Sequence, residues 1–317
     1  MIILKRLYNL ILIVINYLAS IVTRKVLVSP YPFAISIEPT NYCQLHCLEC
    51  PVGTNELSRP KAYMELSVFK SIIDSVYPYV FYLNLYAQGE PLLHSEIIEM
   101  ISYARSKNFY VVLSTNGMLL DDTMAEKIVQ SGLSKIVISM DGFSQQTYEA
   151  YRKGGELSRI KYGIEALSKI KKQLKKNNPK LVVQTLVTSH NEHELNAIKE
   201  WVCSLNNVKF VKKSLQIYKN FNLLPKQESY KRYRFSENQW NRKKKYLNRC
   251  FRIWSQCVIT VQGDVVPCCF DKKAQYVMGN VNNQSLNELW RNEAFQRFRK
   301  AVLENRRQFL ICQNCTE

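Results

Sequence analysis

Three cysteines fall within one short run, Cys43-Gln-Leu-His-Cys47-Leu-Glu-Cys50, a C-x3-C-x2-C pattern directly after a strand-like segment. Thiolates at this spacing chelate a metal ion or an iron–sulfur cluster. A structural zinc or an ordinary [4Fe-4S] site takes four protein ligands. Three thiolates leave one iron of a cluster without a protein ligand, the open coordination position that a reactive site requires. The alternative is a zinc site completed by His46 or a distant side chain. A second set comprises Cys250, Cys268 and the short chelating pair Cys312-Gln-Asn-Cys315. Four thiolates would fill every iron of a second cluster and close it; a four-cysteine zinc site is the alternative. Cys257 and Cys269 either replace Cys250 or Cys268 as ligands or are buried thiols. Cys203, alone in a helical pattern, reads as a core thiol. Ten cysteines grouped this way in 317 residues suit metal ligation better than a secreted disulfide scaffold.

The elements that must position these groups alternate. Strand-like runs at Ala34–Glu38, Phe81–Tyr86, Tyr110–Leu113, Lys135–Ser139, Leu181–Val187 and within Lys209–Tyr218 are separated by helical patterns. Those are Leu66–Val76, Ser95–Lys107, Asp122–Ser131, Gln145–Tyr151, Ile160–Lys175 and Glu192–Leu205. Strand–helix alternation predicts a parallel sheet, and six units predict an α/β fold of the partial (β/α)6 barrel type, with a doubly wound sheet as the alternative. Residues 29–218 form this unit and 219–249 a basic connector. Residues 250–317 form a small α+β domain, with a hairpin over Val258–Val266 turning at Gly263-Asp264. Ser285-Leu-Asn-Glu288 is a capping box opening a helix to about Leu303.

The polar turns that follow the strands carry a family likeness. Tyr86-Ala-Gln-Gly89-Glu90-Pro91, Ser114-Thr-Asn116-Gly117, Ser139-Met-Asp141-Gly142 and Tyr151-Arg152-Lys-Gly come in this order after the three-cysteine run. Each alone is an ordinary turn, and Asp141 alone reads as a turn residue. Together they resemble the radical S-adenosylmethionine (SAM) superfamily. The resemblance implies a [4Fe-4S] cluster on Cys43, Cys47 and Cys50, with the amino and carboxylate groups of SAM on its open iron. One electron, from a reductant such as flavodoxin or ferredoxin, then releases a 5′-deoxyadenosyl radical. It also implies SAM contacts from Gly89, Glu90, Ser114, Asn116, Ser139 and Arg152, with Gln184 as a further candidate. Many members carry an aromatic residue near the adenine just before the third cysteine; here it is Glu49. The C-terminal segment, with Cys250-x3-Trp254, Gly263-x4-Cys268, Met278-Gly-Asn-Val281, Leu289-Trp290 and the final pair, is similar to the SPASM/twitch extension. That implies a second, auxiliary [4Fe-4S] cluster on Cys250, Cys268, Cys312 and Cys315, in the shorter twitch-like version.

The net charge of +18 is uneven: residues 209–249 hold thirteen Lys/Arg against Glu228 and Glu237. That implies an anionic partner or a solvated basic face. At the N-terminus (1–28), Leu7 to Val22 is apolar and spans about 24 Å as a helix, short of the ~30 Å hydrocarbon core. Lys5, Asn9, Asn16 and Ser20 share one stripe, which fits an interfacial or protein-docked helix better than a span; a signal-peptide cleavage site is poorly defined. The expected protein is a radical SAM oxidoreductase or maturase of the cytoplasm, with peripheral contact to the inner membrane face. Its expected substrate is an anionic small molecule or glycan, with a peptide as the runner-up. A nucleic-acid-binding iron–sulfur or zinc protein ranks below, because no nucleic-acid motif accompanies the basic residues.

Overall fold

The computed structural model describes residues 1–236, 239–243 and 247–315, so Glu237, Lys244 and Lys245 of the basic stretch lie outside the described residues. Helix α1 (Ile2–Thr23) precedes β1 (Ala34–Ile37), α2 (Leu66–Val76), β2 (Tyr82–Asn84), α3 (Ile97–Ser106), β3 (Tyr110–Thr115), α4 (Asp122–Gln130) and β4 (Lys135–Ser139). Next come α5 (Gln145–Tyr151), α6 (Leu157–Gln173), β5 (Lys180–Val187), α7 (Leu195–Ser204) and β6 (Val208–Ser214). β1 to β6 pair in chain order, all parallel, as six strand–helix units predict.

Period-two alternation sorts each strand's side chains onto two faces. Val111, Leu113, Ile136, Ile138 and Val183 pack against the helices. There α2 contributes Phe69, Ile72, Ile73 and Val76 at helical spacing. Each such side chain contributes roughly 1.5–3 kcal/mol by burial. Val112, Val137 and Val182 form a second, inner cluster with Tyr82, Tyr110 and Val211. By the same alternation Ser114, Ser139 and Gln184 share this inner face, each two residues nearer the strand exit. Ser139 is the register partner of Gln184. The lumen is therefore apolar at its base and polar toward the C-terminal strand ends, the side on which parallel barrels place their chemistry.

The basic connector is more structured than expected. It holds the antiparallel pair β7 (Tyr233–Ser236) and β8 (Gln239–Arg242). Phe235 meets Trp240 edge-on, and Trp240 stacks on Phe221 at 5.6 Å. Then follow α8 (Arg252–Ser255), β9 (Gln256–Ile259), β10 (Asp264–Val266), β11 (Gly279–Asn280), α9 (Leu286–Arg291), α10 (Glu293–Asn305) and α11 (Leu310–Gln313). The expected hairpin is β9–β10, and β9 also pairs in parallel with β1. The C-terminal region thus continues the barrel sheet, in the order β11-β10-β9-β1-β2-β3-β4-β5-β6. The capping box at Ser285 is present, but one expected helix is two. Asn292, extended at ψ 168°, ends the first and caps the second by accepting from the Phe295 amide.

α1 lies across the strand entrances. Arg6 donates to the carbonyls of Lys107 and Asn108, just before β3, and Asn9 to those of Tyr31 and Pro32, just before β1. Tyr17 packs edge-on against Trp254, just before β9. The helix docks through the polar stripe seen in the sequence.

Candidate active site

The three-cysteine loop sits beyond the exit of β1, and the turns after β2, β3 and β4 close around it. Cys43 Sγ accepts from the Leu45 amide at 3.5 Å and from Asn116 Nδ2 at 3.7 Å. Cys47 Sγ accepts from Arg152 Nη1 at 3.7 Å. Cys50 is half-buried on the same loop. Burial pushes the Cys43 thiol up to about 11 and raises that of Cys47, where Arg152 opposes the rise. Amide and guanidinium donors aimed at sulfur favour thiolates, the form a cluster needs. Among the described residues no group of three His, Cys, Asp or Glu side chains is already gathered around a single metal-ion position.

Glu90 is buried and braces two of the turns. Its carboxylate accepts from Thr115 Oγ1 at 2.7 Å, the Asn116 amide at 2.7 Å and the Leu92 amide at 3.1 Å. Burial raises its carboxyl above the ordinary range, against these donors. Gly89 must be glycine: φ is +74°, and a Cβ would lie 2.4 Å from the Thr40 carbonyl oxygen. The backbone can therefore approach the cysteine loop closely, and the Glu90 amide donates to the Tyr42 carbonyl at 2.7 Å.

Asp141 is more than a turn residue. Fully buried, it accepts from Arg152 Nε at 2.6 Å and from the Leu186 amide at 2.6 Å. Burial alone would lower the Arg152 guanidinium, but Asp141 and Cys47 hold it above its usual value. The pair ties the end of β4 to the second cysteine. Ser114 and Ser139 stand on the lumen side, while Glu90, Asn116 and Arg152 converge on the cysteine loop. Thus the expected SAM-contact set is brought to one mouth.

Sequence reasoning missed Glu49. Its buried carboxylate accepts from the backbone amides of Tyr218 at 2.7 Å and Asn220 at 2.8 Å, and more weakly from Lys219 at 3.3 Å. It staples the cysteine loop to the segment after β6, at the position where the family resemblance led one to expect an aromatic. The only signal was that departure itself. Glu49→Ala leaves these amides without their acceptor and should cost about 1–3 kcal/mol, read by chemical denaturation.

The second set also converges. Cys250, Cys268, Cys312 and Cys315 line one small enclosed cavity with Arg252, Arg306 and Phe298. Arg306 Nη2 donates to Cys315 Sγ at 3.0 Å, and burial pushes the Cys312 thiol up to about 11. Four thiols around one cavity, with a guanidinium on one of them, fit a closed cluster. Cys257 faces the core instead, its thiol pushed up to about 12 by burial, and Cys269 is exposed beside Arg252. Cys203 is exposed on α7, not in the core as expected, because the buried positions of that helix are Leu195, Ile198 and Val202.

Between the two cysteine sites is a cavity of about 280 Å³. Leu48, Glu49 and Pro51 form one wall, Phe270, Leu310 and Ile311 the other, and Lys219, Lys272 and Lys273 reach it. Lys219 and Lys273 pair with Glu56. The Lys272 ammonium lies 4.5 Å over the Tyr218 ring; burial lowers its affinity for a proton. Among the described residues no carboxylate is within ion-pair distance of it.

Comparison with known proteins gives the family and the fold. Residues 37–202 match the radical SAM superfamily model, and 250–316 match SPASM, an iron–sulfur cluster-binding domain. An AdoMet-dependent heme synthase of Methanosarcina barkeri is 32% identical over 139 residues, 44% of this chain and 40% of that protein. The chain therefore matches less than half the length of that relative. A tungsten-containing aldehyde ferredoxin oxidoreductase cofactor-modifying protein of Pyrococcus furiosus is 24% identical, over 83% of this chain and 82% of its own. Streptococcus suis SuiB bound to S-adenosylmethionine has the same fold, with TM-score 0.67 and 14% identity over 89% of this chain and 71% of SuiB. With three thiols on the loop after β1, four around a second cavity and both family models matched, this chain belongs to the radical SAM superfamily and carries a C-terminal SPASM domain.

Proposed function

We propose that this radical SAM enzyme acts on an anionic small molecule or glycan-type substrate held in the cavity between its two cysteine sites. The observation that carries the reading is Lys272, a desolvated ammonium with no ion-pair partner on that cavity's wall. Lys272 is half-buried, and a partly desolvated ammonium with an aromatic ring but no carboxylate beside it favours an anion as its partner. Bound at Cys43, Cys47 and Cys50, a [4Fe-4S] cluster with SAM and an external reductant of the flavodoxin or ferredoxin kind would supply the one-electron radical chemistry that removes a hydrogen atom from the substrate. The chain's own groups do the rest. Cys43, Cys47 and Cys50 hold the catalytic cluster, while Arg152 and Asn116 orient two of those sulfurs. Glu90 locks together the turns that would meet SAM, and Ser114 and Ser139 offer hydroxyls on the lumen side. Cys250, Cys268, Cys312 and Cys315 hold an auxiliary cluster on the far side of the substrate cavity. The enzyme works in the cytoplasm, where SAM and iron–sulfur assembly are available.

The test is stimulation of 5′-deoxyadenosine formation by sugar phosphates and acidic glycans against neutral peptides, with anaerobically reconstituted protein. An anionic substrate should stimulate, and Lys272→Ala should raise its KM by roughly 10- to 150-fold, the equivalent of one charged hydrogen bond of about 1.5–3 kcal/mol. Stimulation by neutral peptides, with KM indifferent to Lys272, would favour the peptide-maturase reading instead.

A further inference from the structure

α1 is amphipathic the wrong way round for a docked helix. A surface helix normally buries its apolar stripe. Here the buried residues are Arg6, Asn9, Ile13 and Ser20. Arg6 and Asn9 donate to carbonyls at the strand entrances, and Ser20 Oγ to the carbonyls of Asn16 and Leu27. The apolar side is left outside. Ile3, Leu4, Leu7, Tyr8, Ile11, Val14, Ile15, Leu18 and Val22 run down its length, between 40% and 82% exposed. Exposed Phe251 extends the band beyond Tyr17, whose ring it meets at 5.1 Å. A contiguous apolar surface of this length on a water-soluble body marks an interaction site.

Charge selects the occupant. Residues 1–37 contain Lys5, Arg6, Arg24 and Lys25 and no acid. Lys5 stands near one end of the band; exposed Arg24, Lys25 and Arg249 stand near the other. A second copy of the helix could follow the seam Leu4, Tyr8, Ile11, Ile15, Leu18 and Val22. In either orientation it would set cations against cations with no carboxylate to neutralise them. An anionic lipid surface accepts both features, the apolar band in its acyl boundary and the cations among its headgroups. The helix is longer than the sequence suggested: its 22 residues, about 33 Å, are long and apolar enough to cross a bilayer, so length does not disfavour a span and docking does. The helix is held to the folded body by Arg6 near one end and by the Tyr17 ring against Trp254 near the other, and Arg24 beyond it donates to the Leu303 carbonyl at 2.8 Å.

We propose that α1 lies in the plane of an anionic membrane surface, its exposed stripe immersed at the headgroup–acyl boundary. The strand entrances then face the lipid, and the strand exits, with both cysteine sites and the Lys272 cavity, face water. This orientation makes the substrate a molecule that arrives from the aqueous side.

The experiment is vesicle flotation of the full reconstituted chain. The probes are phosphatidylcholine vesicles with and without phosphatidylglycerol, at low and high salt. The chain should float with the anionic vesicles, less so in high salt and least with phosphatidylcholine alone. Ile11→Glu/Ile15→Glu/Leu18→Glu should reduce partitioning by at least about tenfold while leaving the circular dichroism spectrum unchanged. In a Leu18→Trp variant, brominated acyl chains should quench the new indole. Three results overturn the proposal: no flotation with anionic vesicles by chain whose α1 is helical; equal flotation by the triple-Glu variant; or a wild-type dimer that the triple-Glu change converts to monomer, in chain that ignores vesicles.

Discussion

Replacing Cys43, Cys47 and Cys50 together by alanine should reduce 5′-deoxyadenosine formation from SAM by at least about a hundredfold, the size of effect seen when a residue that merely orients a metal ligand is lost. The measurement uses anaerobically reconstituted protein with a strong reductant. The loss should be chemical rather than structural. Cys43 and Cys50 are half-buried and Cys47 is buried, but the loop is anchored independently by Glu49 and by the Glu90 amide on the Tyr42 carbonyl. The secondary structure of the variant should therefore match wild type. About half of the iron and sulfide should remain, because the four thiols of the second cavity are untouched. Complete loss of iron would mean that the two cysteine sites do not load independently. Undiminished 5′-deoxyadenosine would remove these three residues from the chemistry.

Arg152→Ala should destabilise the fold by about 3–5 kcal/mol, the range for removing one partner of a buried ion pair. Asp141 has no exposed surface, and its remaining partner is the Leu186 amide. Without the guanidinium a buried carboxylate is left uncompensated. Adding Asp141→Asn to Arg152→Ala removes that charge and should restore a large part of the loss, so a double-mutant cycle by chemical denaturation should give a coupling of at least ~1 kcal/mol. A single-variant cost below ~1 kcal/mol would contradict the buried geometry. The same substitution removes the donor on Cys47 Sγ. Iron loading should then drop in Arg152→Ala and stay low in the double variant even where stability returns. That split separates the positioning role of Arg152 from its structural one.

Where local chemistry sets the outcome, residues and structure agree. The six strand–helix units follow from hydrophobic periodicity, and α2 buries the residues its spacing selects. The turns after β2, β3 and β4 were legible because glycine and short polar side chains have few other uses in that order. Long-range pairing is a different matter. β9 joins β1 across more than two hundred residues of sequence, and nothing in either segment names its partner. Parity along β9 separates Cys257 from the ligand set: it faces the helix-covered core, while Cys250 and Cys268, outside the strands, reach the second cavity.

By itself the sequence determined the spacing of the three-cysteine loop and the alternating α/β plan, because each depends on spacing within a turn, a strand or a helix. For the second set it left Cys257 and Cys269 as alternatives, and only folding gathered Cys250, Cys268, Cys312 and Cys315 on one cavity. Only the tertiary structure decided which side of α1 is buried. Carbonyls of Tyr31, Pro32, Lys107 and Asn108 at the strand entrances need donors, and Arg6 and Asn9 supply them. Likewise only folding brought Glu49 to the amides of Tyr218 and Asn220, and Lys272 to a cavity wall beside Cys50. Those meetings join segments far apart in the chain, where side-chain type states a capacity and three-dimensional packing chooses its partner.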